Sequence, residues 1–259
     1  MPQSFNLLID FEATGVDPKE ARIMEVGALI TEEDWTPVAN MNALVYQPET
    51  FPIPEEVKKV TNLDEDTLAK EGIPLRDMFE RIFDFIQPYN VNYFVAYNRE
   101  YDENLFNAEY ERVYKKVAPK SQWVCAMKDI EKNYEFKCWK MSHLALDHGV
   151  AVDPNGLHRA INDVLLMRTM LEKLAVTAQT MFEFQNMPWS ILQAKIPKPW
   201  EDGGKGKDLA VKLGYSWETP RGSQQKFEKC WVKKVKVSQV EMEIKRAAFK
   251  VVEIGESNG

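Results

Sequence analysis

Cysteine is scarce in this sequence and long apolar runs are missing. The two deficits argue against a disulfide-rich protein and against a membrane-spanning one. Three of the 259 residues are cysteines, Cys125, Cys138 and Cys230, and no two of them form a C-x-x-C motif. This spacing argues against a disulfide framework or a structural zinc knuckle and favours a reducing compartment. No segment approaches the roughly 18 apolar residues of a membrane-spanning helix, so we expect no membrane association.

The first residues lack the basic segment of a signal peptide and reach an acid, Asp10, early. We therefore expect no signal peptide and a cytoplasmic protein. Hydrophobic residues at 44% and charged residues at 28% exclude a wholly disordered chain. A length of 259 residues predicts one large domain with a small appendage, since a domain commonly has about 150 residues.

Charge is divided unevenly along the chain. The formal net charge of −7 by itself argues against a nucleic-acid partner. Residues 190–259, however, carry a net charge of +5, which leaves −12 on the rest of the chain. A basic end on an acidic body indicates a binding partner for that end. The acidic body is explained either by a solvated surface or by carboxylates that gather around cations.

Apolar periodicity predicts a mixed α/β domain over residues 1–180. Strands are predicted at 5–12, 23–31, 41–47 and 92–97, and the first three form an antiparallel meander. Helices are predicted at 75–87, 100–116, 140–148 and 160–174, with short helical pieces within 48–74 and a strand followed by a helix at 122–133. Strands that alternate with helices after a meander indicate a mixed sheet flanked by helices.

The composition changes after about residue 176, and we expect a small basic module over residues 190–259. Proline, glycine and lysine occur together at 188–208, which predicts a linker or an irregular small module. A strand is predicted at 227–237 and a helix at 239–250.

Two acidic residues, Asp10 and Glu12, end the first predicted strand. Because side chains alternate along a strand, both lie on one face, next to the turn that Thr14 and Gly15 begin. Two carboxylates held together repel each other unless a cation lies between them. A ligand set made only of oxygen suits Mg²⁺ or Mn²⁺.

A second segment with acidic residues, VAYNREYDENLF at 95–106, is predicted to be the end of a strand followed by a helix. Asn98 is predicted as the N-cap of this helix, and Asp102 lies one turn later. An acid in a first helical turn also interacts favourably with the helix dipole, so this segment alone does not establish a site.

A third pattern, PNGLHRAINDVLLM at 154–167, contains His158 and Asp163 after a predicted turn. Five residues correspond to about 140° around a helix, so the two side chains cannot share one helical face. If they act together, His158 must lie in the loop that enters the helix and Asp163 on the helix itself.

Together the three segments resemble the exonuclease motifs of the DnaQ-like, or DEDDh, 3′–5′ exonucleases. DFEATG at 10–15 is similar to the first motif, residues 95–106 to the second, and HRAINDV at 158–164 to the third, while IMEVGAL at 23–29 matches the strand after the first motif. The resemblance covers about residues 5–175 and is greatest to exonuclease X-type enzymes of bacteria and phages. It implies a ribonuclease H-like fold and a bacterial or phage-infected cell.

The resemblance also implies roles for seven residues. The metal ligands would be Asp10, Glu12, Asp102 and Asp163. His158 would be the general base, and Thr14 and Asn98 would lie near the terminal nucleotide. Two Mg²⁺ or Mn²⁺ ions would be bound. Tyr97 stands where the family often has histidine, which bears on local hydrogen bonding and nucleotide preference rather than on catalysis.

The residue types suit hydrolysis of a phosphodiester. Two divalent ions stabilise the attacking and the leaving oxygen, and carboxylates balance their charge. An imidazole can accept a proton from the attacking water near neutral pH. His143 and His148 are rival bases, although His148 is expected at a helix C-terminus, where the dipole favours a structural role.

The basic module interleaves lysines and arginines with aromatic residues between 198 and 236. Basic side chains meet phosphates and aromatic rings stack on bases, so the module is a candidate for nucleic-acid binding. A small packed core with solvated lysines, or docking to a protein partner, explains the same pattern.

These observations predict a magnesium-dependent 3′–5′ exonuclease that acts on DNA and releases nucleoside 5′-monophosphates. An exoribonuclease of the same fold and the proofreading subunit of a polymerase are alternatives. A non-catalytic scaffold that binds nucleic acid or protein is a third alternative, against which the complete set of five ionisable residues argues.

Overall fold

A computed structural model describes residues 3–48, 52–130, 138–154, 156–220 and 229–257. The described residues form two compact units, one that ends at Gln185 and one that begins at Asn186. In the described part of the chain, no helix has the length and hydropathy that crossing a bilayer requires.

A six-stranded mixed sheet forms the centre of the first unit. Its strands are β1 (Phe5–Ala13), β2 (Ile23–Thr31), β3 (Pro37–Tyr46), β4 (Ile73–Pro74), β5 (Val91–Ala96) and β6 (Trp123–Cys125), in the order β4-β3-β2-β1-β5-β6. β1, β2 and β3 pair antiparallel, as the predicted meander requires. β5 pairs parallel to both β1 and β6. The parallel pairs place the ends of β1 and β5 on the same edge of the sheet, which is where the second motif begins.

Helices cover the sheet, and the core lies on both of its faces. They are α1 (Glu55–Thr61), α2 (Glu65–Glu71), α3 (Leu75–Ile86), α4 (Arg99–Tyr114), α5 (Met141–Asp147), α6 (Ala160–Leu174) and α7 (Ala178–Asn186). One face of β1 packs in a cluster with α3 and α4, and the other face packs in a cluster with α6. Because both faces are covered, β2 is buried over its whole length. The predicted mixed α/β fold is confirmed.

The helix predicted to follow β6 does not begin within residues 126–130, which form turns instead. The carboxylate of Asp129 accepts a hydrogen bond of 2.7 Å from the amide of Cys125, and this bond closes the turn against the strand end. Residues 131–133 of that prediction lie outside the described residues.

The second unit contains a four-stranded antiparallel sheet. Its elements are β7 (Trp189–Lys195), α8 (Pro199–Asp202), α9 (Lys205–Lys212), β8 (Ser216–Glu218), β9 (Cys230–Lys236), α10 (Val240–Arg246) and β10 (Lys250–Ser257), and the strand order is β10-β7-β9-β8. The structure therefore has regular elements, β7, α8 and the start of α9, where the composition of 188–208 predicts a linker or an irregular small module. β7 is a central strand whose Ile191 and Leu192 are fully buried, and the neighbouring proline and glycine residues obscure this short apolar run.

The helix predicted at 239–250 is also too long. α10 ends at Arg246, and the chain turns into β10, which pairs with β7. Val251 packs into the core of this sheet together with Leu192 and Val235. Tertiary pairing with a central strand therefore overrides the helical pattern after residue 246.

Candidate active site

Three carboxylates meet where β1 ends and α4 begins. Asp10 and Glu12 follow one another on the same face of β1, as the two-residue spacing predicts. Asp102 lies in the first turn of α4 and is only 4% exposed. Its carboxylate accepts a hydrogen bond from the amide of Phe11, the residue between the two acids of β1. This bond fixes the start of α4 against the end of β1 that carries Asp10 and Glu12.

The third motif reaches the same place from the other side of the sheet. α6 begins at Ala160, so His158 lies in the preceding loop and Asp163 in the first helical turn. One ligand atom from each of Glu12, His158 and Asp163 lies within 4.8 Å of the others. His158 has a φ of 60°, and its backbone amide donates a hydrogen bond to the carboxylate of Asp163. The loop and helix placement predicted from the 140° argument is confirmed.

Burial raises the pKa of all four of these carboxylates, and repulsion by neighbouring acids adds to the effect for Asp10 and Glu12. Burial, followed by the charges of Asp102 and Glu12, raises the pKa of Asp10 well above its ordinary value. Burial and then the charge of Asp163 raise the pKa of Glu12 to about 8. Burial raises the pKa of Asp102 to about 8. Burial also raises that of Asp163, to about 6, against the lowering effect of His158. A site of this kind gains free energy when a cation enters it.

The donor set fits a divalent cation. Oδ1 of Asp163 is buried and has no hydrogen-bond partner in the described part of the chain. A buried carboxylate oxygen without a partner costs free energy, and a metal ion would supply the missing interaction. Oxygen donors from several carboxylates are the ligands that Mg²⁺ and Mn²⁺ prefer.

The two residues expected near the terminal nucleotide have different surroundings. The hydroxyl oxygen of Thr14 accepts a 3.0 Å hydrogen bond from the amide of Arg22, which closes the loop after β1. Asn98 is the N-cap residue of α4, as predicted, but its side chain accepts no hydrogen bond from the first turn of the helix. Its ψ of 68° lies far from the extended value of a capping residue. The Asn98 side chain is exposed instead.

The remaining histidines and Tyr97 make local contacts. Nδ1 of His148 lies 2.8 Å from the carbonyl oxygen of Leu144, one turn earlier in the chain. His143 is exposed on α5. The hydroxyl of Tyr97 donates a 2.6 Å hydrogen bond to the carbonyl oxygen of Trp139. Tyr97 therefore ties the end of β5 to the segment that precedes α5.

Several residues around the site were not singled out in the sequence. The hydroxyl of Tyr101 donates a 2.5 Å hydrogen bond to the carbonyl oxygen of Gly15 and so holds the loop after β1 against α4. Glu25 is fully buried beside Glu12 and pairs with Arg159. The sequence could have indicated Glu25, because it is a charged residue inside the apolar run IMEVGALIT. Nothing near it in the sequence identifies Arg159 as its partner.

A cavity of about 500 Å³ adjoins Asp163. It lies between α6 and the preceding loop, and its wall is mostly apolar, with Val150, Leu157 and Leu166 among the lining residues. Lys173 contributes a cationic group to the lining. The carboxylate cluster is thus bordered on this side by a space rather than by packed side chains.

The sequence matches the RNase_T family model, described as exonuclease, over residues 7–169. The chain belongs to this exonuclease family. The family is part of the DnaQ-like superfamily, so the resemblance drawn from the three motifs is confirmed at that level. No curated protein matches the sequence. The finer placement near exonuclease X-type enzymes stays a prediction.

Solved structures share the fold. E. coli exonuclease I in complex with a dA16 oligonucleotide is 13% identical with a TM-score of 0.62, and the match covers 94% of this chain and 67% of that one. The complex of exonuclease I with the SSB C-terminal segment is 13% identical with a TM-score of 0.58, covering 79% and 50%. A 3′-exonuclease that recognises the histone mRNA stem-loop is 12% identical with a TM-score of 0.57, covering 68% and 83%. In several of these matches the chain spans about half the length of exonuclease I.

Proposed function

We propose that this protein is a metal-dependent 3′–5′ exonuclease that hydrolyses DNA from its 3′ end and releases nucleoside 5′-monophosphates. The observation that carries the proposal is the convergence of four carboxylates with raised pKa values and one histidine at a single edge of an exonuclease-family sheet. Three segments far apart in the sequence supply these groups. A scaffold that only binds would gain nothing from gathering four carboxylates where their charged forms are disfavoured.

The chemistry assigns a role to each group. Asp10, Glu12, Asp102 and Asp163 would hold two Mg²⁺ or Mn²⁺ ions. When bound, such ions stabilise the attacking and leaving oxygens of an in-line displacement. His158 is exposed at the mouth of the site and accepts the proton of the attacking water. The new bond joins the water oxygen to phosphorus, and the bond from phosphorus to the 3′-oxygen of the neighbouring nucleotide breaks.

DNA is proposed as the substrate because exonuclease I, which shares the fold, is seen with a DNA oligonucleotide. The alternative is RNA, since another protein of this fold recognises an mRNA stem-loop. End-labelled DNA and RNA of one sequence, incubated with Mg²⁺ and separately with chelator, distinguish the two. Faster shortening of DNA from the 3′ end to mononucleotides supports the proposal. Preferential RNA cleavage would establish the exoribonuclease, and no cleavage of either would favour the scaffold.

We further propose that the second unit contributes to nucleic-acid binding. The net charge of +5 over residues 190–259 supports this, but the structure changes which lysines are candidates. Nζ of Lys233 donates to the carbonyl oxygen of Leu213 at 2.8 Å and to Glu243 at 2.9 Å. Lys236 is 5% exposed and donates to the carbonyl oxygen of Met187 at 2.7 Å. These two lysines stabilise the unit itself, so exposed lysines elsewhere must meet the phosphates.

Exposed lysines occur on α9 and beside β9: Lys205, Lys207, Lys212 and Lys229. Next to Lys229 on the edge of the sheet, Trp217 and Trp231 are direct cross-strand partners with ring centroids 5.6 Å apart. Trp217 is 54% exposed, and burial of so large an apolar ring is ordinarily favourable. An exposed aromatic ring near lysines is suited to stacking on a base of a single strand. We therefore propose Trp217 as a stacking residue.

A further inference from the structure

Glu25 places a carboxylate inside the sheet, where it must be paired. It is the third residue of β2, is fully buried, and stands opposite Glu12 in the β1–β2 register. An isolated charge in such a position is very unfavourable. The fold therefore requires a partner that offsets the charge of Glu25.

Arg159 supplies that compensation with two hydrogen bonds. Its Nε donates to Oε2 of Glu25 at 3.0 Å, and its Nη2 donates to Oε1 at 2.9 Å. Oε1 also accepts from the side-chain amide of Asn42 at 3.1 Å, and Oε2 accepts from the backbone amide of Ala160 at 3.3 Å. The two-point geometry of a guanidinium on a carboxylate fixes direction as well as distance.

The position of Arg159 in the chain gives this bridge its consequence. Arg159 is the N-cap residue of α6, directly after His158 and four residues before Asp163. His158 has a left-handed φ of 60°, a conformation that persists in a non-glycine residue only where its surroundings impose it. The bridge and the Ala160 amide bond hold the backbone on the C-terminal side of His158.

Gly27 shows how closely α6 is seated on the strand. A Cβ at this position would lie 2.3 Å from the carbonyl carbon of Ala160 and from the amide nitrogen of Ile161. Glu25 and Gly27 share one face of β2, so the strand meets the first turn of α6 at two adjacent points. The same strand pairs with the part of β1 that carries Asp10 and Glu12.

We propose that the Glu25–Arg159 bridge is a positioning device that sets His158 and Asp163 against Glu12. It rests on the proposed exonuclease function, and neither residue of the bridge touches the reacting atoms. The bridge connects the strand beside the first motif to the loop and helix of the third. Its loss should loosen the relative placement of the groups that bind metal and accept the proton.

The test uses Arg159→Lys, which keeps the charge but loses the two-point geometry, and Glu25→Gln, which keeps the shape but loses the charge. We expect each to lower kcat by about 10–100-fold, the range found for residues that orient metal ligands. KM for a DNA oligonucleotide should stay near the wild-type value. Mn²⁺ binding, measured by calorimetry, should weaken within a similar range. The double variant Glu25→Gln with Arg159→Lys should lose no more than the worse single variant, because both act through one bridge.

Arg168→Lys is the matched control. Arg168 also anchors α6, through a 2.8 Å hydrogen bond to the carbonyl oxygen of Trp35 and an ion pair with Glu172, but it lies away from the first turn. It should lower the melting temperature without changing kcat. If Arg159→Lys and Glu25→Gln behave like this control, the bridge only stabilises the fold. If the wild type binds Mn²⁺ but cleaves nothing, the exonuclease proposal fails, and the Mn²⁺ affinities of the variants still decide the bridge.

Discussion

At the scale of single residues, the arrangement of the acids follows from elementary geometry. The period of a strand puts Asp10 and Glu12 on one face, and the period of a helix separates His158 from Asp163. These relations are local, so the sequence predicts them. The partner of Glu25 is Arg159, 134 residues away, and no local rule connects two residues at that separation.

Asp163→Asn should abolish nearly all turnover in Mg²⁺ while leaving the fold intact. The change removes one anionic ligand from a site that balances divalent charge, and the amide keeps the volume of the side chain. Cleavage of an end-labelled oligonucleotide measures the effect. Asp147→Asn, an exposed acid at the end of α5, is the control and should be as active as the wild type. Near-wild-type cleavage by Asp163→Asn would remove Asp163 from the site.

The metal-free protein should become less stable as the pH rises from about 4 to 8. The folded-state pKa values of Asp163, about 6, and Glu12, about 8, lie above their unfolded values. Such groups contribute stability that is complete below the unfolded pKa and is lost as the pH rises through the folded pKa. Melting temperatures in chelator at pH 5 and pH 8 test this. Asp163→Asn should show a smaller decrease, and an equal decrease would mean that other groups dominate.

His158→Ala should lower kcat by about 10²–10⁴-fold, the range expected for loss of a general acid or base. Metal binding should persist, because four carboxylates remain. His148→Ala is the comparison, since His148 contacts the carbonyl oxygen of Leu144 and should be dispensable for the chemistry. A severe effect at His148 with a mild one at His158 would show that the third motif has been assigned wrongly.

At the scale of secondary-structure elements, apolar periodicity predicts the positions of helices well, whereas local composition predicts the positions of strands poorly. The helices α3, α4 and α6 agree with their apolar spacing because each packs one face on the sheet, and α5 agrees because it packs against α6. Proline, glycine and lysine around β7 resemble a linker, and the helical pattern before β10 extends the predicted helix to residue 250. The strand character of both comes from pairing with each other. Pairing of this kind depends on tertiary structure rather than on local sequence.

The edge strand β8 provides a test of base stacking. Trp217→Ala should weaken binding of single-stranded DNA by about 1–3 kcal/mol, the usual contribution of one stacked base. Ile244→Ala, which removes another exposed apolar side chain of the same unit, should leave binding unchanged. Fluorescence anisotropy with a labelled oligonucleotide measures both. Unfolding of Trp217→Ala would show that the ring belongs to the core, and unchanged binding by a folded variant would exclude stacking.

At the scale of the whole molecule, the uneven charge predicts that the acidic part holds the metal site and that the basic part binds nucleic acid. No single residue indicates this. The sequence gives the net charge of each part, but it cannot tell which lysines are already engaged. Lys233 and Lys236 illustrate this, since both bond to backbone carbonyl oxygens inside their own unit. Counting basic residues therefore overestimates the number of lysines that can contact a phosphate directly.

The full-length variant with Lys205, Lys207 and Lys212 changed to Ala should bind DNA more weakly and with a flatter salt dependence. Each lost phosphate contact lowers the slope of log K against log salt by about 0.7–0.9. The control changes Lys115, Lys116 and Lys120 in the first unit, which alters net charge equally. Affinity measured at several salt concentrations distinguishes the two sets. Equal slopes for wild type and variant would exclude α9 from DNA binding and favour a protein partner for this unit.

The distance along the chain between the two halves of the site has a consequence during synthesis. Asp10 and Glu12 lie near the N-terminal end of the chain, whereas Asp163 lies on α6, after about 150 further residues. Domains fold as units while the chain emerges, and contacts of such high sequence separation form late. With the site residues proposed above, a growing chain that has not yet released α6 would carry acids but no complete metal site. A nuclease built in this order has no cutting activity beside the ribosome until almost the entire first unit has been made.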